Sequence, residues 1–149
     1  MSAYSSIYVD DIQVTQGRVF LNIRDELPGV DEKWFIEKYM KSDIRRLLDM
    51  ANPKLAAKPS PELILAFIDR ECGGEYKRGE TWGGFLPQWV GEIYSLYQWK
   101  YETPSAELVE LLPLAEMERL FVPLHQAGWD AAAKKLHDIV IAKSADGQS

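Results

Sequence analysis

The chain has 149 residues, of which 46% are hydrophobic and 11% aromatic, so it is long enough and apolar enough to bury the core of one domain. Its formal net charge of −6 argues against non-specific binding to nucleic acid or to an anionic membrane, because both require a basic surface. An acidic surface is instead suited to a basic protein partner.

The cysteine content and the N-terminal sequence predict the compartment. Cys72 is the single cysteine, so it cannot form a disulfide within the chain, and a secreted disulfide framework is not expected. The first residues, MSAYSSIYVDD, lack the basic and apolar regions of a signal peptide, and no run of about 18 apolar residues suggests a membrane-spanning helix. We therefore expect a cytoplasmic protein that binds neither membrane nor nucleic acid.

The first 24 residues predict a small N-terminal β-hairpin. Residues 7–14 and 18–24 are rich in Ile, Val, Tyr and Phe, and they flank residues 15–17, whose glycine can supply the positive φ of a short hairpin loop. Because an isolated hairpin is marginal in water, we expect it to pack on the rest of the domain or to pair with a second copy as a homo-oligomer.

Residues 31–142 predict a mostly α fold, a compact domain of about six to seven helices packed at steep angles, and the whole chain is expected to form a single domain. Capping residues, prolines and glycines mark the helix boundaries. The predicted helices cover residues 31–40, 43–51, 60–72, 87–101, 105–112, 113–122 and 130–142.

The boundaries between these helices follow from local signals. Residues 31–51 carry two apolar faces about a quarter turn apart, so we predict a break there, with Ser42 as the N-cap of the second helix. Residues 54–59 and 123–128 are predicted connectors. Residues 144–149 are predicted to be a disordered tail.

Residues 87–101 predict the central helix of the core. Pro87 suits its first turn, because proline has no N–H to lose there. The apolar face, wide enough to pack on two neighbouring helices, carries Trp89, Val90, Ile93, Tyr94, Leu96, Tyr97 and Tyr101. Trp99 falls instead in the polar column with Glu92 and Ser95, away from the predicted core.

The loop that precedes the central helix carries Lys77, Arg78 and Trp82, which predict a small anion-binding or stacking site. The other interpretation is that the two cations are solvated while Trp82 covers the end of the central helix. Residues 74–81, GEYKRGET, nearly match the phosphate-binding pattern GxxxxGK[ST], but Glu80 takes the lysine position and would repel a phosphate. Nucleotide binding is therefore not expected.

Glu92, Ser95 and Trp99 are the candidate binding residues of the central helix. Glu92, one turn from Ser95, is either a buried carboxylate with a raised pKa that acts as an acid or base, or the acceptor of a hydrogen bond from a neighbouring Tyr or Trp. Trp99 either packs against the C-terminal helices or anchors a protein partner, because aromatic residues dominate interface energetics.

Metal and cofactor chemistry find little support in the sequence. The two histidines and one cysteine do not form an HxxxH or CxxC pattern, and metal ligation would need further ligands at workable spacing. We therefore expect no metal, no cofactor and no catalytic residue.

Two stretches, DIRRLLDMANPK at residues 43–54 and GGFLPQWVGEIYSLYQWKY at residues 83–101, with PLH at residues 123–125, resemble a family of small uncharacterised bacterial proteins. These mostly helical proteins occur in accessory gene cassettes that include toxin–antitoxin modules. The resemblance covers most of residues 31–142 and implies an interaction role such as that of an antitoxin, with no catalytic residue to carry over.

The sequence therefore leads to two hypotheses of different classes. The first is a non-catalytic protein-interaction domain, with an antitoxin or immunity-like component as its specific form. The second is a small-ligand binder or enzyme, in which the loop of residues 77–82 and Glu92 converge on one pocket.

Overall fold

The computed structural model describes residues 2–147, with side chains described through residue 145. Within that range the chain forms a short 3-10 helix, Ser6–Tyr8, and nine α-helices, without a β-strand. The α-helices are α1 (Val9–Glu26), α2 (Glu32–Met40), α3 (Asp43–Leu48), α4 (Pro53–Ala56), α5 (Ser60–Glu71), α6 (Leu86–Tyr101), α7 (Ser105–Leu111), α8 (Leu114–Leu124) and α9 (Trp129–Gly147). The mostly α fold class is confirmed, and α1 and α4 are the two helices beyond the seven predicted.

The predicted N-terminal hairpin is wrong, because residues 9–26 form the long helix α1. A buried face recurs at helical spacing along it and includes Ile12, Gln16, Val19, Phe20 and Ile23. This face packs against α6, and tertiary packing overrides the weak strand preference of β-branched and aromatic residues. Acidic residues in the first turn also favour the helix, because they interact with its positive end.

Helices α1 and α6 run antiparallel and approach each other closely at two glycines. Gln16 Nε2 donates to Gly91 O at 2.7 Å. A Cβ on Gly91 would lie 2.7 Å from the main-chain oxygen of Gln16, and a Cβ on Gly17 would lie 2.5 Å from Glu92 Cγ. Gly17, predicted to lie in a hairpin turn, therefore lies within a helix and allows close packing.

Two predictions are confirmed: the break that separates α2 from α3, and the central helix α6. Asp31 and Ser42 act as N-caps, accepting from the N–H groups of Trp34 and Arg45 respectively. The break allows both apolar faces of this region to point into the core. Asn52 caps the short helix α4 within the predicted connector, because its side chain accepts from two backbone N–H groups and Pro53 suits the first turn.

The C-terminal helices extend further than predicted. Pro123, expected in a connector, lies in the last turn of α8, where the N–H of His125 still donates to Phe121 O at 2.8 Å. Helix α9 continues to Gly147, through the first part of the segment that was predicted to be a disordered tail. Residues 148 and 149 of that segment lie outside the described residues.

A buried polar cluster joins α3, α6 and α7 inside the hydrophobic core. Arg45 is completely buried; its Nε donates to Asp49 Oδ1 at 3.2 Å and its Nη2 donates to Gln98 Oε1 at 3.0 Å. Asp49 also accepts from the N–H of Ser105 at 2.9 Å. The cluster fixes the C-terminal half of α6, beside which the N-terminal residues lie. Among the described helices, none is both long enough and apolar enough to cross a membrane.

Candidate functional site

Lys77 and Arg78, the two cations of the loop, form contacts within the chain. Lys77 Nζ lies 3.7 Å from Asp31 Oδ2, and Arg78 Nη1 donates to Pro28 O at 3.2 Å while its guanidinium lies over the Tyr76 ring. The main chain is held as well, because Asp31 N donates to Lys77 O at 2.9 Å. The cations therefore fasten the loop to the start of α2.

Trp82 lies against the start of α2. Its main-chain N–H donates to Glu32 Oε2 at 2.5 Å. Glu32 is completely buried, and Arg24 Nε lies 3.7 Å from its other carboxylate oxygen. Lys33 Nζ lies 5.8 Å from the centre of the Trp82 ring. Trp82 thus closes a charged cluster between α1 and α2.

Glu92 and Ser95 lie further along the pair formed by α1 and α6. Glu92 is half-buried over Gly17, and burial raises the pKa of its carboxyl, while the hydrogen bond from Gln88 and the charge of Arg18 oppose this rise. Ser95 is completely buried, and its hydroxyl has no hydrogen-bond partner among the described side chains and main chain.

The candidates in the loop and those on α6 lie apart and do not line one pocket. Arg24 Nη2 donates to Gly84 O at 3.2 Å, which places the loop beside the C-terminal end of α1. Glu92 packs instead over Gly17, seven residues earlier on α1, which is roughly 10 Å along a helix at about 1.5 Å per residue. The geometry therefore does not favour a ligand site that combines the loop with Glu92.

Trp99 packs within the chain, but against the N-terminal segment, residues 2–8, instead of the C-terminal helices. Its Nε1 donates to Tyr4 O at 2.7 Å, and Ala3 N donates to Trp99 O at 2.9 Å. The two rings lie 6.4 Å apart in a tilted arrangement. Burial raises the pKa of the Tyr4 hydroxyl to about 12, and the charge of Arg45 opposes this rise. Trp99 thus holds the N-terminal segment against α6.

The segment that Trp99 holds forms one wall of an open groove of about 410 Å³, which we call the N-terminal groove. Its lining residues are mostly apolar and come from two parts of the chain: Tyr4, Tyr8, Asp11 and Ile12 on one side, and Met50, Ala51, Pro53, Ala56 and Ala57 on the other. Tyr8 is 48% exposed and Met50 is 60% exposed, so both offer apolar surface to a partner.

The backbone at Ala51 contributes to the shape of the N-terminal groove. Its φ of 54° lies in the left-handed region, which residues other than glycine rarely adopt. This residue turns the chain from α3 towards α4 and leaves Met50 exposed. A left-handed residue commonly ends a helix, and here the N–H of Asn52 donates to Leu47 O at 3.0 Å across it.

The N-terminal groove was not predicted from the sequence, because a strand over residues 7–14 would not form it. The helical spacing of Tyr4, Ile7 and Tyr8, followed by the acidic residues Asp10 and Asp11, was the available signal for a helix start with an apolar side.

Comparisons of the chain with protein-family models, with curated proteins and with solved structures give no match.

Proposed function

We propose that this chain is a non-catalytic protein-interaction domain that binds a basic partner protein in the N-terminal groove. The observation that carries the proposal is the open apolar surface formed by Tyr8 and Met50, two large side chains that are about half exposed and line one groove. Removing apolar surface from water is the main favourable term in protein association, and aromatic residues and Met are enriched at interfaces.

The charge of the groove supports a basic partner. Asp11 lines the groove and Asp10 precedes it in the first turn of α1; both are exposed, and neither forms an ion pair with the side chains of residues 2–145. The chain as a whole carries a net charge of −6. A partner that presents Lys or Arg beside Asp10 and Asp11 would gain complementary charge and a faster association rate.

A partner helix suits the shape of this surface. An amphipathic helix can place apolar side chains, spaced three and four residues apart, in a groove, while its polar side faces the rim. In this arrangement the apolar side chains of the partner contact Tyr8, Ile12 and Met50, and its basic side chains face Asp11. Trp99 contributes indirectly, because it positions the segment that carries Tyr4 and Tyr8.

The more specific form of the proposal is an antitoxin or immunity-like component. It is supported by the resemblance of residues 43–54 and 83–101 to small proteins of accessory and toxin–antitoxin gene cassettes. In that role the basic partner is the cognate toxin, and binding at the groove blocks it. A toxin gene beside the gene for this chain would be the simplest support for this form.

Affinity capture from the native cell with matched variants tests the proposal. We expect the wild-type chain to capture a basic protein, Met50→Ser to lose most of it, and Leu65→Ser to retain it. Leu65 is the control because it is 45% exposed on α5 and does not line the groove. The proposal fails if no basic protein is captured, or if Met50→Ser, with an unchanged melting temperature, captures as much as the wild type.

A further inference from the structure

A second open groove, between α3, α4 and α5, lies on the other side of α4 from the N-terminal groove. We call it the α5 groove, and its volume is about 660 Å³. This volume falls within the range of small-molecule sites, roughly 300–1,000 Å³. Leu55 of α4 lines the α5 groove, whereas Ala56 lines the N-terminal groove, so the two surfaces are separate.

Apolar side chains line the α5 groove. Ile44 of α3 and Leu55 of α4 are buried, and Leu47 of α3 is half-buried. A small-molecule site of this kind combines an apolar lining with a few polar groups that set the orientation of the ligand. The lining therefore suits the apolar part of a ligand.

Three cations also line the α5 groove in a protein whose net charge is negative. Lys54 and Arg70 are exposed, and neither forms an ion pair with the side chains of residues 2–145. Lys58 is paired only loosely, with its Nζ 3.8 Å from Glu62 Oε2. Lys54 and Arg70 therefore present hydrogen-bond donors that are available to a ligand.

The two carboxylates at the α5 groove are already occupied by the chain itself. Glu71 accepts from the N–H groups of Asp43 at 2.8 Å and Ile44 at 3.1 Å, and so it caps α3 from outside. Asp43 accepts from Arg46 Nε at 3.3 Å. Both carboxylates keep their charge, but three cations line the groove against these two carboxylates, and Lys54 and Arg70 are unpaired among the side chains of residues 2–145, so the polar side of the groove is suited to an anion.

From this arrangement we propose that the α5 groove binds a small organic anion that has an apolar body. The carboxylate or phosphate of the ligand lies between Lys54 and Arg70, and its apolar body contacts Ile44, Leu47 and Leu55. Arg70 can form two parallel hydrogen bonds with a carboxylate or phosphate. This site is independent of the partner proposed for the N-terminal groove.

Nuclear magnetic resonance titration of the whole chain with octanoate tests the proposal. We expect saturable shifts of the backbone amides of Leu47 and Leu55. Octanamide, which has the same apolar body without the charge, should bind at least about tenfold more weakly, a difference that one charge-assisted hydrogen bond can supply. Octyl phosphate in the same titration distinguishes a phosphate ligand from a carboxylate ligand, and the tighter of the two identifies the head group.

Charge variants locate the head group. Lys54→Gln combined with Arg70→Gln should weaken octanoate binding by at least about tenfold. Lys135→Gln on α9, which removes the same type of charge from an exposed position, should leave it unchanged. The proposal is overturned if octanamide binds as well as octanoate, or if the shifts do not saturate or lie elsewhere. It is also overturned if the double variant weakens octanoate binding no more than Lys135→Gln does.

Discussion

Replacing Gly91 by alanine tests the close contact between α1 and α6. In a helix, alanine is more favourable than glycine by about 1 kcal/mol, so helix propensity alone would make the variant more stable. The added Cβ, however, would lie 2.7 Å from the main-chain oxygen of Gln16 and 3.0 Å from Phe20 Cδ2. The main-chain oxygen cannot rotate away, so the two helices must separate, and overpacking of this kind costs about 1–3 kcal/mol.

We expect the steric effect to exceed the gain in helix propensity. The separation also disturbs the hydrogen bond that Gln16 Nε2 donates to Gly91 O, which is worth about 1 kcal/mol. The net result is a loss of about 1–3 kcal/mol in the free energy of unfolding, because the lost hydrogen bond and the gain in helix propensity are similar in size. Urea denaturation followed by far-ultraviolet circular dichroism measures this loss.

Gly17→Ala provides the matched control. Its Cβ would meet the side chain of Glu92 at 2.5 Å, but that side chain is half-exposed and can rotate towards solvent. We expect the free energy of unfolding of Gly17→Ala to change by less than about 1 kcal/mol, because the gain in helix propensity offsets the small rearrangement. If Gly91→Ala is as stable as Gly17→Ala, then α1 and α6 do not approach each other as described.

Three further predictions follow from individual side chains. Trp89→Ala should lower the free energy of unfolding, measured by urea denaturation, by roughly 3–5 kcal/mol, because the Trp89 side chain is 7% exposed and its ring packs edge-on against Phe121. A loss below about 1 kcal/mol would contradict its place in the core. Trp99→Phe should lower the free energy of unfolding by about 1 kcal/mol, because the hydrogen bond from Trp99 to Tyr4 O is lost, and it should speed hydrogen exchange at the Ala3 amide. Unchanged exchange would mean that Trp99 does not hold the N-terminal segment. Burial raises the pKa of Tyr4 from 10.0 to about 12, so Tyr4 ionises at lower pH in the unfolded chain than in the folded chain, and stability should fall as the pH rises from 10 to 12. The melting temperature of Tyr4→Phe should fall less steeply over this range than that of the wild type. An equal fall would show that Tyr4 does not contribute.

Local signals in the sequence correctly predicted several helices and their boundaries. Ser42 could be identified as an N-cap because the apolar faces on its two sides point in different directions, which one straight helix cannot satisfy. Pro87 marked the first turn of α6 because proline has a fixed φ and lacks an N–H. Both signals depend only on residues within a few positions of the boundary.

The N-terminal region and the groove depend on contacts between distant residues, so local reasoning failed there. Gly17 gives the same local signal in a hairpin turn as in a helix packed closely on another, and only its contact with Glu92 of α6 distinguishes the two. The partner of Trp99 is Tyr4, 95 residues earlier in the chain, so its packing could not be read from its own helix. The N-terminal groove likewise combines Tyr8 with Met50.

Photo-cross-linking at the N-terminal groove tests the central claim most directly. A photo-reactive amino acid is placed at Met50, or at the control position Leu65, and each variant is irradiated in the native cell. We expect Met50 to cross-link to a basic protein and Leu65 not to do so. Asp10→Asn combined with Asp11→Asn should weaken the cross-link at Met50. A chain that gives no cross-link at Met50, or gives the same product equally at Leu65, would contradict the proposed interaction surface.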